Sequence, residues 1–379
     1  MSLIKVKQSS VDGGVGVTRP NAKPLIINGD FAVAQRGTSQ TNIASNAGYK
    51  TVDRWQVNNQ GSFVGDATVS QSTTTPTGQG FAHSIKFDCT TAGSPSANSS
   101  VYFEQKIEAQ DCQLFKLGTS SAEKITVSFW VYATKTGTNI LRLEQEDVQR
   151  QCSQSYTVSS SNTWEKKVVV FPADTSGAGI TDDNGIGLEL WFYMAAGSNY
   201  TSGTLATSWE AVSGNDANKA VGQVNNFDNT SNDFIITGVQ LEVGEYTSST
   251  IPSFQHESFG NNLKRCERYF QVIAKKESGD NEDAVLPFAQ YSGSTIYGVY
   301  NFRTEMRTAP SLLCANGTNY FRWFRENSNT EFNTFVLDKS SPQTCDLYQS
   351  VSGTQGVAGW VRMINNAPDG SLVSLNGEL

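Results

Sequence analysis

The chain is short of charge. Asp, Glu, Lys and Arg make up 17% of its 379 residues, against roughly 25% in ordinary globular domains. That shortage excludes a helical bundle, a coiled coil or a long charged helix, all of which draw on Glu, Lys, Arg, Leu and Ala. Histidine is nearly missing: only His83 and His256 occur. Neither has a partner at metal-ligand spacing, so general-base chemistry near neutral pH would fall to carboxylates. The six cysteines, Cys89, Cys112, Cys152, Cys266, Cys314 and Cys345, are far apart and form no Cys-x-x-Cys pair; they read as separate thiols acting as small hydrophobes. No apolar run approaches the ~18 residues of a membrane span. The N-terminus, from Met1 to Ser10, lacks the apolar core of a secretion signal. Basic residues number 28 and acidic ones 36, giving a net charge of −8. The densest basic cluster is Lys264, Arg265 and Arg268. A phosphate-backbone partner and membrane insertion are therefore not expected. Nucleophile-elbow, phosphate-loop and dinucleotide motifs are also missing.

What the chain has in excess is Ser, Thr, Asn, Gln and Gly, together with 20 Phe, 13 Tyr and 7 Trp. The two classes are segregated. Residues 124–132 alternate, with Ile125, Val127, Phe129 and Val131 on one side and Thr126, Ser128, Trp130 and Tyr132 on the other. Residues 187–194 repeat the pattern, with Leu188, Leu190, Phe192 and Met194 opposed to Glu189, Trp191 and Tyr193. Further strands are expected over 101–107, 140–143, 164–171 and 234–241, separated by polar spacers such as 71–80, 91–100 and 197–220. This pattern predicts an all-β chain: a jelly-roll-like antiparallel β-sandwich over 25–255, then a smaller β-rich domain over 260–379. In the second domain a helical turn over 262–270 should run into a strand, with more strands over 295–302, 320–324, 332–337 and 359–364. Residues 1–24, rich in Gly and Ser, read as an extended arm for attachment to a partner.

Three sets of residues could carry chemistry. Trp130, Tyr132, Trp191 and Tyr193 lie opposite the aliphatic rows. Flat rings beside amides and carboxylates are what a glycan groove uses, since rings cover the apolar face of a sugar and polar groups take its hydroxyls. A covering layer or subunit interface would want the same rings. Asp30 and Glu242 could share a structural Ca²⁺ if the ends of the first domain pair, although ordinary turn and cap roles are the plainer reading of both. A glycosidase needs only two facing carboxylates. Glu104, Glu108, Glu144, Glu146 and Glu189 are available, with a solvated strand face as the plainer reading. No cofactor is required by any of these patterns.

Five stretches in fixed order carry a resemblance. They are Leu25 to Gly37 (LIINGDFAVAQRG), Thr51 to Trp55 (TVDRW), Val239 to Glu245 (VQLEVGE), Cys266 to Phe270 (CERYF) and Met306 to Pro310 (MRTAP). Together they resemble bacteriophage tail-fibre and related virion proteins, many from phages of aquatic bacteria. The resemblance implies a non-enzymatic virion tail protein with a domain similar to carbohydrate-binding modules. It further implies a homotrimer, contacts with other tail proteins through the arm, and attachment to host surface polysaccharide. A purely structural tail role without a ligand is the alternative, and a polysaccharide depolymerase a more distant one. The motifs themselves read as architectural: Gly29 and Asp30 turning into a first strand, Arg54 meeting a carboxylate, and Gln240 to Glu242 in a closing strand.

Overall fold

The structure, a computed structural model, describes residues 23–379 apart from 62, 64, 280, 281 and 327. The arm expected over 1–24 thus lies, up to residue 22, outside the described residues. The chain divides into two compact units, and the division is not a single cut. The first comprises residues up to 32, 40–48 and 56–257. The second comprises 33–39, 49–55 and 258–379. Nearly all the regular structure is antiparallel β. No helix among the described residues is long and apolar enough to cross a membrane.

The first unit is a sandwich of two six-stranded sheets. Its strands begin with β1 (Ser39–Gln40), β2 (Gln56–Gln60), β3 (Asp66–Ser72), β4 (Ser84–Thr91) and β5 (Ser100–Glu108). They continue with β6 (Ile125–Ala133), β7 (Gly137–Gln145), β8 (Arg150–Val158) and β9 (Glu165–Phe171). β10 (Ile186–Ala196), β11 (Glu210–Ala211) and β12 (Asp233–Val243) complete them. One sheet runs β1-β3-β4-β12-β6-β9 and the other β11-β8-β7-β10-β5-β2. The aliphatic rows read from the sequence face each other across the interior. Ile125, Val127, Phe129 and Val131 of β6 and Leu188, Leu190, Phe192 and Met194 of β10 are all fully buried. Phe129 meets Phe192 edge-on at 5.1 Å, and Phe87 meets Phe103 at 5.2 Å, so aromatic pairs tie the sheets together. Each such side chain contributes about 1.5–3 kcal/mol by leaving water.

The expected turn at Gly29 is present, but no strand follows it directly; the next is β1. The segment instead lies along β12, where the Val239 N–H donates to Gly29 O at 2.9 Å. A Cβ at position 29 would sit 2.1 Å from that same Val239 carbonyl oxygen, which explains the glycine. Ile27 is held by side-chain mimicry of a strand: Gln105 accepts from its N–H and donates to its carbonyl, both at 2.8 Å.

The second unit has a seven-stranded and a three-stranded sheet. Its helix, α1 (Phe259–Glu267), starts at Ser258, whose side chain accepts from the Asn261 N–H, and carries Lys264 and Arg265 in its last turn. It leads into β13 (Phe270–Lys275), as the sequence suggests. The expected strand over 332–337 is instead a break: one strand ends at Phe332 and the next begins at Val336. Phe335 between them turns into the core, beside Phe321 and Phe332.

Four of the five quoted stretches converge in this unit. Gln35 donates its N–H to Asp53 at 3.0 Å and its amide to the Phe270 carbonyl at 2.9 Å. Arg36 lies 3.6 Å over the Phe270 ring and Arg54 3.4 Å over the Tyr269 ring. The carboxylate expected opposite Arg54 is that of Glu378, which Arg36 also reaches at 3.1 Å. Arg307 closes the cluster, donating to the carbonyls of Gly377 and Glu378, each at 2.9 Å. The motifs are a buried clamp on the last residues of the chain.

Candidate functional site

The four aromatic candidates do not share one surface. Trp191 and Tyr193 face outward from β10, away from the sandwich core, while Trp130 and Tyr132 face outward from β6 of the other sheet.

Trp191 and Tyr193 are buried, at 8% and 1% exposure. The ring of Tyr102 stacks on Trp191 at 4.0 Å and 3°, and the Arg142 guanidinium lies 4.1 Å over it. These partners come from β5 and β7, the two strands that flank β10. With both neighbours stacked against it, Trp191 has no face to offer a sugar. Tyr200, Leu205 and Ala220 pack on the same cluster. The spacer 197–220, polar in overall composition, therefore folds as a cover over this sheet, and the rings fill the layer between them.

Of the acidic candidates, Glu104, Glu144 and Glu189 lie on that same face, beside Trp191. Glu104, Glu108, Glu144 and Glu189 are buried, contrary to the solvated face expected for them. Glu104 accepts from Gln56 and Asn58, Arg142 donates to Glu144, and Trp191 Nε1 donates to Glu189 at 2.8 Å. Burial, reinforced by the nearby Glu104 charge, pushes the Glu189 carboxyl up to about 8. These buried carboxylates hydrogen-bond to side chains of their own sheet, and Glu104 Oε2 is buried without a hydrogen bond. Glu146 lies beyond the end of β7.

Asp30 is half-buried beside the Gly29 turn, and Glu242 is buried in β12. Among the described residues, no three His, Cys, Asp or Glu side chains come together as a metal site would require. The six cysteines are free thiols, and all but Cys314 are buried.

Trp130 does line a groove, of about 250 Å³, on the outer face of the first sheet. Three strands build its floor. Trp130 is the direct cross-strand partner of Lys166 on β9 and of Thr237 on β12, and Ser128 pairs with Gln240. Between Thr237 and Gln240 the register of β12 slips at a bulge. Gly238, at φ +63°, makes that bulge and lies under the ring of Phe81, where a Cβ would come within 2.5 Å of the ring. The bulge is thus what admits Phe81 to the groove wall.

Phe81 forms a triangle with Phe254 and His256, at centroid distances of 5.1, 5.1 and 4.9 Å. Gln79 and Ser253 add polar groups at the rim, and the Gln240 amide is fixed by donating to the Pro252 carbonyl at 2.9 Å. Beyond Trp130 along the same face, Tyr132 meets Trp164 at 5.7 Å. Phe81, Phe254 and His256 were not legible as site residues. They lie in irregular segments, where no alternation marks a face. The visible signal is the spacing Phe254-Gln-His256 two residues after Pro252, two rings at the expected end of the first domain.

No protein-family model and no curated protein sequence matches the chain. Some solved structures are similar. The enzymatically active domain of bacteriophage CBA120 tailspike protein 4 is 13% identical, with a TM-score of 0.31 over 58% of this chain and 21% of that one. The family 11 carbohydrate-binding module from Clostridium thermocellum, in complex with a β-1,3-1,4-mixed-linked tetrasaccharide, is 10% identical, with a TM-score of 0.28 over 57% of this chain and 99% of that one. The Endo-D glycoside hydrolase domain from Streptococcus pneumoniae is 10% identical, with a TM-score of 0.21 over 83% of this chain and 38% of that one.

Proposed function

We propose that the chain is a non-enzymatic virion tail protein of a bacteriophage that attaches the particle to a host surface by binding glycan in the Trp130 groove. The observation that carries the binding reading is the groove itself. It sets Trp130 and the Phe81, Phe254 and His256 rings around the fixed Gln240 amide and the Ser128 hydroxyl. Rings of this kind cover the apolar face of a pyranose, while amides and hydroxyls exchange hydrogen bonds with its edge. The virion reading is supported by the ordered motifs, whose residues form the clamp in the second unit. Binding is preferred to hydrolysis because the closely placed glutamates Glu104, Glu144 and Glu189 are buried, where a catalytic pair needs an open cleft. Single contacts of this size are weak. A homotrimer, displayed in several copies, would raise effective concentration at a polysaccharide surface.

A second reading, a structural tail role without ligand, draws on the stacked and covered Trp191 face. Affinity electrophoresis against a panel of bacterial surface polysaccharides separates the two. Trp130→Ala should weaken retention by about tenfold, the loss of one stacking contact of ~1.4 kcal/mol. Retention by no polysaccharide, or unchanged retention in the variant, would remove the glycan reading and leave the structural one.

A further inference from the structure

The groove has a sign. The chain as a whole is acidic, with 36 acidic and 28 basic residues. Yet no Asp or Glu lines the groove, and its ionisable members are Lys166 and His256. Most lysines of this unit have a carboxylate to hand: Lys86 meets Asp233 at 2.9 Å, Lys116 meets Glu123 at 2.8 Å and Lys124 meets Glu245 at 2.6 Å. Lys167, the next residue along β9, is paired with Glu165 at 2.5 Å. Lys166 has no such partner among the described residues. Its surroundings also partly desolvate the ammonium, which lowers its pKa. A cation with incomplete hydration and no counter-charge gains more from an arriving anion than one in bulk water does.

Position adds to charge. Lys166 and Trp130 are directly opposed across β9 and β6, which places their Cβ atoms roughly 4.5–5.5 Å apart. One sugar unit can therefore stack on the ring and present a substituent to the ammonium. His256 stands on the other wall, with the Phe81 and Phe254 rings beside it.

We infer that the groove takes an acidic saccharide, a sugar bearing a carboxylate or phosphate group, with the anion at Lys166 and the ring on Trp130. This rests on the groove being a glycan site, and the experiment separates the two claims. Binding of the full chain is measured by affinity electrophoresis to polygalacturonate, to a poly(glycerol phosphate) teichoic acid and to neutral dextran. The variants are Lys166→Gln, Trp130→Ala and, as a control on an exposed lysine away from the groove, Lys116→Gln. The expected result is retention by at least one acidic polymer, weakened about tenfold by Lys166→Gln and by Trp130→Ala but not by Lys116→Gln. The polymer retained identifies the anion as carboxylate or phosphate. Dextran retention that Trp130→Ala abolishes and Lys166→Gln leaves intact would overturn the acidic inference and keep the glycan groove. Retention by no polymer, or retention by an acidic polymer that both lysine variants weaken equally, would also overturn it. Indifference of all retention to Trp130→Ala would overturn the groove reading itself.

Discussion

Arg54 and Glu378 form a buried ion pair although 324 positions separate them in the chain. Burial alone would disfavour the Arg54 charge. The Glu378 carboxylate more than offsets that, and the guanidinium is held more firmly protonated than in water. The Arg54 backbone is at φ +71°, a conformation rarely adopted by a long side chain, so local strain is accepted to reach this partner. The pair ties a segment near the start of the second unit to the residues just after its last strand, Leu372–Asn376.

Removing one member should be costly. Glu378→Gln removes the carboxylate that Arg54 and Arg36 share. The expected destabilisation is about 3–5 kcal/mol. Chemical denaturation followed by tryptophan fluorescence checks it, and Glu245→Gln, at an exposed pair with Lys124, should change stability by less than about 1 kcal/mol.

Glu189 should make stability depend on pH. Its folded carboxyl is raised to about 8 by burial, against an ordinary 4.5. The folded state therefore holds this proton more tightly than the unfolded state does. The resulting stabilisation is full below about pH 4.5 and is lost as pH rises through 8. Glu189→Gln carries no such proton and still accepts from Trp191 Nε1. The melting-temperature difference between variant and wild type should therefore move in favour of the variant from pH 5 to pH 9, by ~2–4 °C per kcal/mol. A difference that stays flat across that range would contradict the assignment.

Gly238→Ala tests the bulge. A methyl group there would press into the Phe81 ring while the backbone stays at a positive φ. Stability should fall by about 1–3 kcal/mol, and polysaccharide retention should fall with it, because Phe81 must leave the groove wall. Ser128→Ala, at a neighbouring position on the groove floor, should preserve the wall.

The fold was largely legible because the core strands obey a simple rule. In β6 and β10 every second residue is large and apolar, and both were read to within about two residues at either end. β3 escaped notice because it buries only Ala67 and Val69 among polar neighbours, too little contrast for a period of two to show. The site was half legible. Trp130 is on a strand, where alternation assigns it a face. That alternation assigned Trp191 the opposite face equally well, but it could not show that residues 197–220 would fold over it. Tyr200, Leu205 and Ala220, scattered in a polar stretch, were the only hint. Likewise the clamp was visible as motifs, and Arg54 as wanting a carboxylate, but the identity of Glu378 depends on tertiary closure.

The chain passes between its two units at 32–33, 39–40, 48–49, 55–56 and 257–258. Each unit is therefore built from more than one stretch of chain. A fragment ending at 257 would keep Arg36 and Arg54 but lose the carboxylate they were folded around. A fragment beginning at 258 would keep Glu378 and lose both arginines. Neither unit can be cut free whole at a single peptide bond.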